Sequence, residues 1–216
     1  MDEIWDEIHS SRVWGGYPSE HVIRFFARNY YNKERGKVKV LDFGCGGGAH
    51  TWYLAREGFD VYAFDGSEYA VENAKKKLIS ENLNAQFRVC DGLNSDYEVN
   101  YFDAILDNVC IYANRIDDIK CMYKKTYSFL KNGGKILTTC FGTATCGYGL
   151  GTEIEKGTYT SITDGPLQDR GVAHFFNESE LREVLSNVGF PNIEIDKISY
   201  THRGKPIEQL IAQAEK

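Results

Sequence analysis

The feature that most restricts what this chain can fold into is the run Val40-Leu41-Asp42-Phe43-Gly44-Cys45-Gly46-Gly47-Gly48. A short strand pattern passes directly into a glycine cluster, and a helical pattern starts at Ala49. Glycine suits such a turn because the backbone bends sharply there and a ligand can approach with no Cβ in the way. The helix behind the turn presents N–H groups that have no intrahelical partner. Asp65 ends the next strand pattern, placed to accept hydrogen bonds from ribose hydroxyls. Asp91 ends the one after, placed to receive an adenine amino group. All three turns fall on the carboxyl edge of the expected sheet, where open α/β folds bind their ligands.

The flanking sequence extends this pattern. Strand patterns over 37–43, 60–64, 85–90, 102–106 and 135–140 alternate with helical ones over 49–57, 67–78 and 116–130. Ser67 is a cap for the second helix, whose apolar stripe is Ala70, Val71, Ala74 and Leu78, and Asn132-Gly133-Gly134 stops the third. Alternation of this kind demands a mainly parallel sheet covered on both faces. Two helical segments come first, marked by Ile4, Trp5 and Ile8 and by Val22, Phe25, Phe26 and Tyr30, with a Gly/Pro loop between them. Near the other end, Asn177 with Glu180 begins a capped helix that Gly189 ends. Strands over 193–200 and 207–212 follow, joined by Arg203-Gly204-Lys205-Pro206. A link that short cannot house a crossover, so this pair is antiparallel.

Charge and cysteine usage remove several function classes. Basic residues number 25 against 31 acidic ones, a net charge of −6, and the longest basic stretch is Lys75-Lys76-Lys77 on a helix. A solvated helix face explains that triplet, so neither nucleic acid nor an anionic membrane is an expected partner. The opening Met1-Asp2-Glu3 is acidic where a secretory signal is basic, and no apolar run approaches the ~20 residues of a membrane span. Cysteines at 45, 90, 110, 121, 140 and 146 include no Cys-x-x-Cys pair, which predicts reduced core thiols, no metal site and a cytoplasmic location.

The glycine pattern alone admits two cofactors. Gly44-x-Gly46-x-x-Ala49 also satisfies a dinucleotide fingerprint. Against that, Asp42 precedes the first glycine by two residues, where a carboxylate would repel pyrophosphate and attract a cationic amino group. The terminal antiparallel pair is also foreign to an ordinary dinucleotide fold. The segment 40–50, with Asp65, Asp91, Phe102-Asp103-Ala104-Ile105 and Leu130-Lys131-Asn132-Gly133-Gly134-Lys135, resembles the class I methyltransferases that use S-adenosylmethionine (SAM). The resemblance covers about residues 35–212. It implies a Rossmann-like α/β fold, a seven-stranded sheet with the last strand antiparallel, helices on both faces and an N-terminal helical lid. It also implies one domain over 1–216: a lid at 1–34, a SAM-binding core at 35–141, an insertion over the acceptor at 142–176, and a helix with the strand pair at 177–216. By the same resemblance Asp42, Gly44, Gly46 and Gly48 shape the methionine pocket, with Cys45 in the same turn. Asp65 holds the ribose, Gly66 and Ser67 belong to its turn, Asp91 and Gly92 meet the adenine, and Asp107 and Asn108 reach toward methionine and acceptor.

The acceptor is read less directly. Asp107-Asn108-Val109-Cys110 replaces the Asn/Asp-Pro-Pro-aromatic motif of many enzymes that methylate nucleic-acid amines. With the acidic balance, this favours a small molecule. Trp14 to Glu20 and His174-Phe175-Phe176 resemble bacterial small-molecule methyltransferases, some linked to surface glycans, which suggests a hydroxyl or a phosphate-linked oxygen. Such an acceptor needs a base. His174, after the glycine-rich stretch 142–171, is the first candidate, with packing beside Phe175 and Phe176 as its alternative, and Tyr112 is the second. His50 suits a structural place beside the cofactor. Trp14 and Tyr17 either close over the sulfonium or staple the second helix. Tyr148, Tyr159 and Arg170 either read the acceptor or lie in a loop without a ligand role. The product would be S-adenosylhomocysteine, and the chain a monomer or homodimer. An NAD-dependent oxidoreductase and a SAM-binding protein without transfer activity are the alternatives.

Overall fold

The computed structural model describes residues 4–11 and 15–216. Two helices, α1 (Ile4–Ser11) and α2 (Glu20–Tyr30), precede the sheet. β1 (Lys39–Phe43) is an inner strand of it, buried from Val40 onward, and the chain then alternates through α3 (Ala49–Arg56), β2 (Asp60–Asp65), α4 (Glu68–Ile79), β3 (Gln86–Val89), β4 (Phe102–Asn108), α5 (Ile116–Phe129) and β5 (Leu130–Phe141). An outlying sheet follows, of β6 (Thr152–Glu155), β7 (Thr158–Thr160) and β8 (Ala173–His174), all within the expected insertion. Then come α6 (Glu178–Val188), β9 (Asn192–His202) and β10 (Lys205–Glu215). The large sheet has the order β3-β2-β1-β4-β5-β10-β9. β1 to β5 run parallel, and β10 pairs antiparallel with both β5 and β9.

The expected caps form. Ser67 Oγ accepts the Ala70 N–H at 3.3 Å, and Asn177 Oδ1 accepts the Glu180 N–H at 3.0 Å. Two boundaries differ from the sequence pattern. β5 begins at Leu130, directly after α5, and continues through the glycine pair; the Gly133 N–H donates to Lys216 O at 2.7 Å, tying this stretch to the chain end. The β9–β10 link shortens to Arg203 and Gly204, both at positive φ (51° and 78°), as a two-residue hairpin turn requires. Pro206 therefore lies in β10, where that strand runs past β5, whose pairing starts at Gln209.

Period-two alternation sorts the central strands into two cores. Val40, Val61, Ala104, Leu106 and Leu137 face α2, whose Val22, Phe25, Phe26 and Tyr30 are buried against them. Leu41, Phe43, Phe64 and Ile105 face α5 and its Met122, Tyr123 and Phe129. The same alternation sends the Asp42 side chain to the α3 side and the Asp107 side chain to the α5 side. Neither direction leads along the strand axis to the carboxyl edge, and this decides what those two carboxylates do.

Candidate functional site

The turn after β1 is built by close packing. Gly44 has φ +73°, and a Cβ there would lie 2.1 Å from Cys110 Sγ. Gly48 has φ +79°, caps α3, and carries Ala74 of α4 so closely that a Cβ would sit 2.5 Å from the Ala74 Cβ. The Cys45 N–H donates to Phe64 O at 2.8 Å, binding the turn to β2. Asp65 then ties two turns together: Oδ2 accepts the Gly46 N–H and Oδ1 the Ser67 N–H, each at 2.9 Å. Each carboxylate oxygen keeps a further lone pair.

Over this edge lies a cavity of about 370 Å³, within the usual size range of small-molecule sites. Gly44, Cys45, Gly46, Asp65, Gly66, Asp91 and Gly92 line its floor, with Phe43, Phe64 and Met122 as apolar wall. Asp91 also accepts the Leu93 N–H at 2.8 Å. From the turn after β4 come Asn108, Val109, Cys110, Tyr112 and Asn114. The N-terminal region supplies Trp5, His9, Gly15, Tyr17 and Ser19, and the insertion supplies Pro166, Leu167 and Arg170. The floor is thus acidic, and a guanidinium stands among the residues of the roof.

Four expected cofactor residues act from beneath the cavity instead of lining it. Asp42 is buried and accepts the Thr51 hydroxyl at 2.6 Å; burial pushes its carboxyl up to about 7. That bond fixes α3 on β1. Asp107 is likewise buried, with burial raising it to about 6. It accepts the Cys110 N–H (3.0 Å), the Ile111 N–H (3.1 Å) and the Thr138 hydroxyl (2.5 Å), which together shape the turn after β4. Ser67 is fully buried as the α4 cap, and its hydroxyl reaches Asp6 of α1 at 2.5 Å. Gly48 is a packing glycine in the same sense. Trp14 lies outside the described residues.

The structure removes His174 from the cavity, correcting its expected place beside the acceptor. It is fully buried, with Nδ1 2.7 Å from Thr158 Oγ1 and Nε2 3.4 Å from Glu180 Oε1, a charge contact lacking hydrogen-bond geometry. Its N–H donates to Tyr112 O at 2.9 Å, so this histidine pins the outlying sheet to the turn after β4. Burial lowers its basicity. Tyr148 and Tyr159 are also outside the cavity, in an edge-to-face cluster with Phe175. Tyr112, Tyr17 and Arg170 do line it, Tyr17 largely exposed at the rim.

Residues 40–134 match the family model described as a methyltransferase domain, over the strands and turns that form this floor. The segment that builds the floor is thus similar to a methyltransferase domain, and the chain has the fold of class I SAM-dependent methyltransferases. Phosphoethanolamine N-methyltransferase 3 of Arabidopsis thaliana is 36% identical over 103 residues, 47% of this chain and 20% of that protein. Phosphoethanolamine N-methyltransferase 2 of Caenorhabditis elegans is 28% identical over 163 residues, 74% of this chain and 34% of that protein. The chain therefore matches only a fifth to a third of the length of these curated relatives. Among solved structures, the 1,6-didemethyltoxoflavin N1-methyltransferase of Burkholderia thailandensis, with its acceptor and S-adenosylhomocysteine bound, shares the fold. Its TM-score is 0.67 at 22% identity, covering 91% of this chain and 77% of that one.

Within this methyltransferase fold, sequence inspection overlooked three features of the site. Val109 holds φ 56° at the cavity wall, a rare conformation for a β-branched residue, kept by its N–H bond to Thr139 O (3.0 Å) and by the Asp107 turn. His21 of α2 places Nε2 2.8 Å from Asn108 Oδ1 and 3.1 Å from Thr139 Oγ1, bracing a cavity residue from behind. His9 and Trp5 of α1 face the glycine turn. Only the left-handed Val109 had no possible sequence signal; the histidines were visible but their partners are far away in the chain. His50 fits its expected place: Nε2 accepts the Ser19 N–H at 3.2 Å, and burial lowers its pKa to about 4.

Proposed function

We propose that this chain is a SAM-dependent methyltransferase acting on a small acceptor that carries an anionic group. The observation that carries the reading is Asp65. It closes β2, is fixed by the Gly46 and Ser67 amides, and borders a cavity floored by a glycine turn. Those residues fit the cofactor's parts: a carboxylate for a diol, the Asp91–Gly92 turn for a base edge, and an acidic floor that suits a cationic ligand.

The cofactor supplies a methyl group on a sulfonium and leaves as S-adenosylhomocysteine. The protein's share is alignment and exclusion of water. α1 and Tyr17 cover one side, and Pro166, Leu167 and Arg170 the other. Arg170 suits a phosphate or carboxylate on the acceptor, which a guanidinium can hold through paired hydrogen bonds. Tyr112 keeps its proton because burial raises its pKa, and His50 is neutral with Nε2 occupied. Both are positioning groups at neutral pH. This favours an amine that enters as its free base, having left its proton to water, consistent with the transfer named for the phosphoethanolamine relatives. The narrower expectation, a hydroxyl or phosphate-linked oxygen of a surface-glycan precursor, is the second reading, supported by the same anion-binding Arg170.

Calorimetry with S-adenosylhomocysteine and NADH tests the cofactor. Binding of the first and not the second is expected, with Asp65→Ala weakening it by about 1–3 kcal/mol. Binding of NADH alone overturns the reading. Product release across phosphorylated amines and alcohols then tests transfer; binding with no turnover leaves a SAM-binding protein. Arg170→Gln is expected to raise KM for the anionic acceptor about tenfold or more, with S-adenosylhomocysteine affinity unchanged. An unchanged KM removes Arg170 from the acceptor end.

A further inference from the structure

Helix α1 brings an imidazole to the acidic floor that no other part of the site explains. His9 is 93% buried by the complement of its 7% exposure, and it lines the cavity. Its ring lies against the glycine turn: Cε1 is 3.5 Å from where a Gly46 Cβ would stand. Of the two carboxylates that act on it, Asp65, which holds the Gly46 N–H, has the larger effect and Asp6 the smaller. Yet His9 Nδ1 is buried with no hydrogen-bond partner. A polar atom withdrawn from water and left unpaired is costly, and native structures rarely tolerate it without a purpose. The rest of α1 is anchored: Asp6 accepts the Ser67 hydroxyl, and Trp5 lies beside His9 with ring centroids 6.5 Å apart. These side-chain contacts seat His9 against the glycine turn.

We propose that His9 is a binding residue for the cofactor's ribose, completing with Asp65 a two-sided grip on the diol. The inference rests on the SAM reading above. Asp65 accepts from both hydroxyls but has only acceptor capacity when ionised. A neutral imidazole contributes one further acceptor or donor nitrogen, according to its tautomer, to the same pair of hydroxyls. Burial keeps His9 neutral in the empty protein, so its contact adds a hydrogen bond with no second charge. The grip also explains why α1 crosses the glycine turn: the diol would join helix and sheet through one ligand, and α1 would close the cofactor from solvent.

The experiment is a set of binding titrations at pH 7.5 with wild type, Asp65→Ala, His9→Phe and His9→Ala. The ligands are S-adenosylhomocysteine and 5′-methylthioadenosine, which keeps ribose and adenine but lacks the amino acid. His9→Phe preserves the packing of α1 and removes Nδ1, so it serves even if the alanine variant undocks the helix. The expected result is a loss of about tenfold for His9→Phe with both ligands, and a double variant with Asp65→Ala that loses less than the product of the two. Wild-type affinity in His9→Phe, in a protein that Asp65→Ala does weaken, overturns the His9 assignment and spares the SAM reading. A loss for S-adenosylhomocysteine alone also overturns it, placing His9 at the amino-acid end. No binding by wild type overturns both.

Discussion

The floor and the roof of this cavity are held by different physics. The floor is drawn from the turns after β1, β2 and β3, and the first two are closed by short backbone and carboxylate bonds: Cys45 to Phe64, Gly46 to Asp65, Ser67 to Asp65. Gly44 and Gly48 of the first turn pack on Cys110 and Ala74 at distances that leave no room for a methyl group. The roof is assembled from segments more than 100 residues apart, α1 at one end and Pro166, Leu167 and Arg170 at the other. Its two halves also differ. The insertion is bound into the body by His174 N–H to Tyr112 O (2.9 Å), Phe176 N–H to Phe141 O (3.0 Å) and Ile116 N–H to Glu155 Oε1 (2.6 Å). Helix α1 rests on side-chain contacts such as Asp6 to Ser67. The lesson is that the rigid parts serve alignment, and the part with the fewest backbone ties is the one suited to admit a ligand.

The hardest test of that contrast is Gly48→Ala. The added methyl meets both Cβ and Cα of Ala74, at 2.5 and 2.8 Å, on a left-handed backbone. Strain and overpacking together predict a loss of about 2–4 kcal/mol, hence a Tm lower by ~5–15 °C. Thermal denaturation checks it, and a wild-type Tm would mean the floor yields more easily than its packing implies.

Asp42 sharpens the comparison through pH. Burial raises its folded-state pKa from 3.8 to about 7, so the native state holds this proton more tightly than the unfolded chain. The stability it contributes is complete below about pH 4 and is lost as pH rises through 7. Asp42→Asn keeps an acceptor for Thr51 and removes the titration. Its Tm relative to wild type is expected to rise by several degrees between pH 5 and pH 8; an offset that stays constant would mean that Asp42 titrates normally.

The smallest effect on activity is expected at His174. His174→Gln should destabilise by about 1–3 kcal/mol through the lost Thr158 bond, while the pH profile of kcat/KM stays that of the parent. Disappearance of the acid-side limb in that profile would restore the general-base role to this residue.

The chain's order of elements was legible because strand, glycine turn and helix are local events. The run at 40–48, the Ser67 and Asn177 caps and the short 203–206 link each act within a few residues, while the seven-stranded sheet was implied by the family resemblance. Asp65 and Asp91 were readable for the same reason, since a residue that ends a parallel strand must stand at the carboxyl edge. What lies on a strand rather than past its end was not readable in this way. Asp42 and Asp107 share the acidic character of Asp65, but the pleat turns them into the two cores, where Thr51 and Thr138 receive them. Only tertiary packing decided that His174 is a bolt and His9 faces the turn, because burial and contact across more than thirty residues depend on how separate layers meet. Sequence fixes direction along the chain; the distance between its remote parts exists only once the layers have packed.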